Sequence, residues 1–162
     1  MTTSLGQPAP STPSDNLRRL GITLPTPAKP VAAYVPTRRA AGLLFVSGQI
    51  PFVDGKLLAT GIVGHGVSMD LAIQCARQCA LNALAACAAE LGSVDHIKSV
   101  VRIGVFVACD AEFRDHPKVA NGASDLLVEV FGEAGRHARA AVGSSSLPLG
   151  VPVEIECVFE VG

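Results

Sequence analysis

The last stretch of the chain, residues 151–161, alternates cleanly. Val151, Val153, Ile155, Cys157, Phe159 and Val161 fall on one side of an extended segment, and Pro152, Glu154, Glu156, Val158 and Glu160 on the other. A period of two predicts a strand with one face in a core. A second strand is expected around residues 138–142, and the Ser-, Pro- and Gly-containing stretch between the two reads as the loop of a hairpin. In that hairpin Arg139 would lie across from Glu154. A guanidinium and a carboxylate on facing strands can reach one small ligand, or simply pair with each other.

Earlier segments follow the same logic. Residues 42–52, GLLFVSGQIPF, carry a continuous apolar run and predict a strand covered on both faces. Asp54-Gly55 is a hairpin signal, with a return strand at 56–58. Ser68 is a suitable N-cap and Asp70 suits the first turn of a helix that runs to Leu91, with Gly92 to end it. Ile73, Ala76, Ala80, Leu84, Cys87 and Leu91 form its apolar stripe, mostly small, as a closely packed helix needs. Residues 98–109 predict a long strand, with Val101, Ile103, Val105, Val107 and Cys109 on one face and Val100, Arg102, Gly104, Phe106 and Ala108 on the other. A second helix begins near Pro117 and ends at Gly132, with Val119, Ala120, Ala123, Leu126, Leu127, Val130 and Phe131 on its inner face.

The order is β-β-α-β-α-β-β, which predicts a two-layer α+β sandwich. Two helices cover one sheet face only. The other face would expose Val46 or Phe45, Val100, Phe106 and Val158, so a symmetric oligomer with sheets packed together is expected. No internal repeat interrupts the pattern. Residues 1–30 read as a flexible tail followed by a proline-rich, extended lead-in that delivers Tyr34, with a short helical turn near 17–20. Residues 31–162 read as a single domain.

Composition narrows the function. The chain of 162 residues is 49% hydrophobic and 17% charged, with a net charge of −1, so neither nucleic acid nor an anionic membrane is an expected partner. Residues 1–14 lack the basic start and apolar run of a secretory leader. With five cysteines, an odd number, this points to a cytoplasmic protein with reduced thiols. Cys75 and Cys79 stand four apart on a helix, but no His or acidic partners accompany them, so they read as packing residues and no metal site is expected. Gly61, Gly64 and Gly66 are not followed by the Lys of a phosphate loop. His137 lies two before Arg139, on the same face of a regular strand; it is expected at the exposed surface, with a place in the lining of the cleft as the alternative.

Several segments together resemble the Rid family, also called RidA/YjgF and formerly L-PSP endoribonuclease or translation initiation inhibitor. They are FVSGQIP (45–51), RQCALNAL (77–84), VRIGVFVA (101–108), VANGASDLLVEVFG (119–132) and HARAAVG with LPLGVPVEIE (137–156). The proline-rich lead-in and GEAGRHAR mark a longer, divergent branch. The resemblance implies a chorismate-mutase-like subunit, a homotrimer with a barrel-like core, and ligand clefts between subunits. It implies hydrolytic deamination of enamine/imine intermediates of the 2-aminoacrylate type to 2-keto acids and ammonia, with no metal or organic cofactor. By resemblance, Arg139 grips the substrate carboxylate and Glu154 positions water, while Tyr34, Ser47 and Asn121 complete the substrate site. The position two after the arginine, often cysteine in the family, is Ala141.

Each residue also has a plainer role: an ion pair for Arg139, a solvent-facing acid for Glu154, packing for Tyr34, a main-chain hydrogen bond for Ser47 and a cap for Asn121. The alternative function is a non-catalytic trimer that binds small 2-keto or amino-acid-like carboxylates. A ribonuclease would need basic or aromatic stripes that the chain lacks.

Overall fold

The computed structural model describes residues 11–27 and 33–162. Residues 1–10 of the expected tail and residues 28–30 of the expected lead-in lie outside them. Helix α1 spans Pro13–Arg19, where Thr12 and Asp15 form a capping box. It sits against the second long helix. Leu17 is buried, and the Asn16 side-chain amide donates to the Val130 carbonyl at 2.8 Å.

The sheet has five strands: β1 (Thr37–Ala40), β2 (Leu43–Gln49), β3 (Ile97–Ala108), β4 (Ala138–Ser144) and β5 (Val153–Val161), in the order β1-β2-β5-β3-β4. Helix α2 spans Met69–Leu91 and α3 spans His116–Phe131. The β-β-α-β-α-β-β order therefore stands, in a two-layer α+β fold. Its second strand differs from expectation, however. Lys56–Leu57 pairs with Phe52–Val53 in a separate ribbon, and the sheet instead gains the edge strand β1.

The caps of α2 are those the sequence pattern predicts. Ser68 Oγ accepts from the Leu71 N–H, and Gly92 takes φ +84°, a left-handed conformation that glycine adopts without a Cβ penalty. α2 and α3 cover one face of the sheet. Their small residues allow a close crossing: a Cβ on Gly122 would collide with the main-chain carbonyl of Ile73. The core between the layers includes Leu44, Val46, Ile103, Val105, Ile155 and Phe159 with Ala76, Ala80 and Leu84.

Two expectations fail for one reason each. The predicted hairpin does not form. β4 follows β3 through the α3 crossover and pairs parallel to it at the sheet edge, whereas β5 returns to the centre between β2 and β3, antiparallel to both. The most regularly apolar strand thus takes the most covered place. Second, the pairing of β3 with β5 shifts between Val100 and Arg102. Such an irregularity reverses which side chains face the helices. Val100 is buried at the helix side with Ile103, while Val101 is exposed. Val46 likewise faces the core.

The open face of the sheet keeps Phe45, Val142 and the half-buried Phe106 and Val158, beside an Arg102–Glu156 ion pair at 2.9 Å. Among the described residues no helix is long and apolar enough to cross a membrane.

Candidate functional site

The predicted site residues fall into two groups on opposite sides of the sheet. Arg139 is the second residue of β4 and registers with Ile103, which registers in turn with Cys157. Both neighbours face the helices, and so does Arg139. Its Nη1 donates to Asn121 Oδ1 at 2.8 Å and to Ser124 Oγ at 3.0 Å, both on α3. Residues three apart share a helix face, so Asn121 and Ser124 together hold one nitrogen of the guanidinium. Both are neutral. Arg102, by contrast, is compensated by Glu156. Among the described residues no protein group accepts from Nε or Nη2 of Arg139. That edge carries two parallel N–H bonds, the fork that fits a carboxylate.

Glu154 belongs to the other group. It registers with Phe106 on β3, and Phe106 with Val142 on β4. Two strand spacings across and three residues along the strand put the Arg139 and Glu154 Cα atoms roughly 14 Å apart, and the odd offset puts the side chains on opposite faces. Arg139 and Glu154 are therefore not cross-strand neighbours, because β3 separates them. A single chain does not bring them to one pocket.

The Glu154 carboxyl lies over Gly48 on β2, so closely that a Cβ there would collide with its Oε1. The pairing of β2 with β5 shifts between Val46 and Gln49, which brings the Ser47-Gly48 main chain to this carboxyl. Glu154 is half-buried and has no hydrogen-bond partner among the described residues. Burial, and then the charge of Glu156, push its pKa above the usual carboxylate range. A carboxyl so placed exchanges protons more readily near neutrality.

Ser47 and Tyr34 lie at the β1–β2 end of the sheet. Ser47 Oγ donates to the Val35 carbonyl at 2.7 Å and its N–H to the Pro36 carbonyl at 2.9 Å, pinning the segment that carries Tyr34. The Tyr34 ring is exposed. One half-site thus holds Arg139 and Asn121 at the β4 edge. The other holds Glu154, Gly48 and Ser47, with Tyr34 on the adjoining segment.

Two more residues belong to the first half-site, and the sequence reading singled out only one of them, His137. Ser124 could have been found from its spacing to Asn121. His137 is not an exposed surface residue but half-buried, with Nε2 3.0 Å from Ser124 Oγ and Nδ1 2.6 Å from the Gly135 carbonyl. A separate cleft of about 430 Å³ at the far end of β4 is lined by Cys109, Phe113, His116 and Gly143 and includes none of the predicted residues.

Residues 15–159 match the family model described as "YjgF/chorismate_mutase-like, putative endoribonuclease". The chain belongs to this YjgF, or Rid, family. It is 44% identical over 147 residues to protein TCP17 of Trypanosoma cruzi, covering 90% of this chain and 92% of that one. The crystal structure of Atu1372 from Agrobacterium tumefaciens, a protein of unknown function, superposes with a TM-score of 0.86 at 44% identity over 93% of this chain and 92% of that one. A "putative endoribonuclease" of Shewanella oneidensis gives 0.90 at 33% identity, over 93% and 100%. Both of these structures share the sheet and helix layers of this YjgF-family chain.

Proposed function

We propose that this YjgF-family protein is a cytoplasmic, cofactor-independent hydrolase. It would convert enamine/imine intermediates of the 2-aminoacrylate type to 2-keto acids and ammonia in clefts between the subunits of a homotrimer. The observation that carries this reading is Arg139 itself. It is a guanidinium held by two neutral side chains, with no partner for its carboxylate-binding edge among the described residues. The separation of Arg139 from Glu154 within one chain supports a cleft completed by a second copy. The apolar positions Phe45, Phe106, Val142 and Val158 on the open sheet face support burial of that face. The five unpaired cysteines fit a reducing compartment.

In the proposed reaction Arg139 of one copy binds the carboxylate of the imino acid, with Asn121 beside it. A second copy presents Glu154 over its Ser47-Gly48 strand, and Tyr34 borders the same cleft. Glu154 takes a proton from water as the water oxygen adds to the carbon of the protonated imine. Glu154 returns that proton to the nitrogen of the resulting carbinolamine, the C–N bond breaks as the hydroxyl releases its proton to solvent, and ammonia leaves the 2-keto acid. The water supplies the new carbonyl oxygen, and no electron acceptor is needed. Orientation and fixed charge supply most of the rate, since the free imine also hydrolyses unaided.

The test compares keto-acid release from 2-aminoacrylate by the wild type and Arg139→Ala. Acceleration over the uncatalysed rate by the wild type, lost in the variant, is expected. An equally active variant would overturn the reading. Calorimetric binding of a small keto acid without any acceleration would favour a carrier or sensor in place of an enzyme. RNA cleavage that vanishes with Arg139 would favour a nuclease.

A further inference from the structure

Starting from the proposed role of Arg139, we infer that Ser124 and His137 are positioning residues that set how its guanidinium is presented to a carboxylate. Each proton in the chain of hydrogen bonds can be placed. The Gly135 carbonyl only accepts, so the His137 Nδ1 at 2.6 Å carries a hydrogen. In the neutral ring Nε2 is then an acceptor, and the Ser124 hydroxyl 3.0 Å away donates its single proton to it. The lone pairs of Ser124 are thereby left for the Arg139 Nη1, which donates at 3.0 Å. Asn121 Oδ1 accepts from the same nitrogen at 2.8 Å. With Nη1 held at two points, the guanidinium plane is fixed and its Nε/Nη2 edge faces away from α3.

The start of the chain is equally constrained. Gly135 ends a short 3₁₀ turn, Gly132–Gly135, that follows α3. A Cβ at Gly135 would collide with the Leu127 carbonyl and come within 2.8 Å of the Leu127 carbonyl carbon. The turn is therefore pressed onto the main chain of α3, and the carbonyl that selects the His137 tautomer cannot drift. The sequence from Gly135 through His137 to Arg139 is one device, in which a buried turn fixes a ring, the ring fixes a hydroxyl proton, and the hydroxyl fixes the guanidinium.

His137 reaches Arg139 only through Ser124, and that gives the test. Pyruvate serves as the carboxylate probe and is titrated calorimetrically into the wild type and variants. Ser124→Ala and His137→Ala should each weaken binding about fivefold to tenfold, within the range for the net loss of one ordinary hydrogen bond. Ser124→Thr, which keeps the hydroxyl, should restore most of the affinity. The Ser124→Ala/His137→Ala double variant should bind no worse than Ser124→Ala alone. In keto-acid release the losses should fall mainly on KM. A merely structural role predicts instead that Thr fails to rescue, that the losses add, and that kcat and the melting temperature fall together. Any of those results overturns the inference. Failure of the underlying reading is separate, since the wild type would then bind no pyruvate or Arg139→Ala would bind it as well. In that case 15N chemical shifts of His137 still decide. The Nδ1–H tautomer, shifted in Ser124→Ala, is expected, and an Nε2–H tautomer would refute the relay.

Discussion

Gly48 offers a way to move Glu154 without changing it. An ideal Cβ at Gly48 would collide with the Glu154 Oε1 and would stand 2.9 Å from Cδ and 3.4 Å from Cγ. In Gly48→Ala the carboxyl must therefore retreat, by on the order of 1 Å, which is enough to cost about a hundredfold in a reaction that depends on orientation. That corresponds to about 2.7 kcal/mol of transition-state stabilisation, and kcat/KM should fall accordingly. Stability should change by less than about 1 kcal/mol, because the colliding atoms are the far end of a flexible side chain and alanine restricts the unfolded chain. Gly48 is not at positive φ, so alanine fits its backbone. Gly104→Ala is the control. Its Cβ would meet the Glu156 Oε1 at 2.8 Å, the same kind of collision on the same sheet face, yet Glu156 pairs with Arg102 and acts on Glu154 only through its charge. The assay is keto-acid release from 2-aminoacrylate above the uncatalysed rate, with thermal unfolding in parallel. Full activity in Gly48→Ala, or equal losses in both variants, would refute the role given to Glu154.

Further outcomes follow from burial and close packing. Gly122→Ala should destabilise the fold by about 1–3 kcal/mol, because main-chain atoms of Ile73 must shift and the better helix propensity of alanine recovers at most about 1 kcal/mol; denaturant unfolding measures it. Glu154→Gln should abolish turnover yet raise stability at neutral pH. The folded pKa of Glu154 is raised above its ordinary 4.5 by burial, so from that value upward the native state holds more proton than the unfolded chain and the wild type loses stability as pH rises. The advantage of the Gln variant should open above pH 4.5 and close below it, and unfolding curves across that range would show no such dependence if Glu154 were fully solvated.

The helices were legible because their signals are local. Ser68, Gly92, Pro117 and Gly132 mark helix ends that depend on a few neighbouring residues. Strand order is not local. The alternation of residues 151–161 identifies β5 but cannot say that β5 slips between β2 and β3, leaving β4 outside on a crossover. The shift at Val100–Arg102 is invisible for a similar reason, since both faces of β3 are largely apolar there. β1 carries Arg38 and Arg39 and has no apolar alternation to betray it. Arg139, Glu154, Tyr34, Ser47 and Asn121 stood out through the family likeness. Their division between two sheet faces required the register. The hydrogen bonds of Ser124 and His137 emerged only from side-chain geometry, although the spacing of His137 to Arg139 and the polar pair Asn121 and Ser124 at helical spacing were readable hints.

The central claim is that the cleft draws Arg139 from one copy and Glu154 from another, and subunit mixing tests it directly. Arg139→Ala and Glu154→Gln are each expected to be inactive. Unfolded together in equal amounts and refolded into mixed rings, they should regain about one quarter of wild-type activity, the fraction of interfaces that pair an intact arginine with an intact glutamate in a cyclic assembly. No recovery, with mixed rings confirmed by mass, would mean that both residues serve one site from the same chain, contrary to this account.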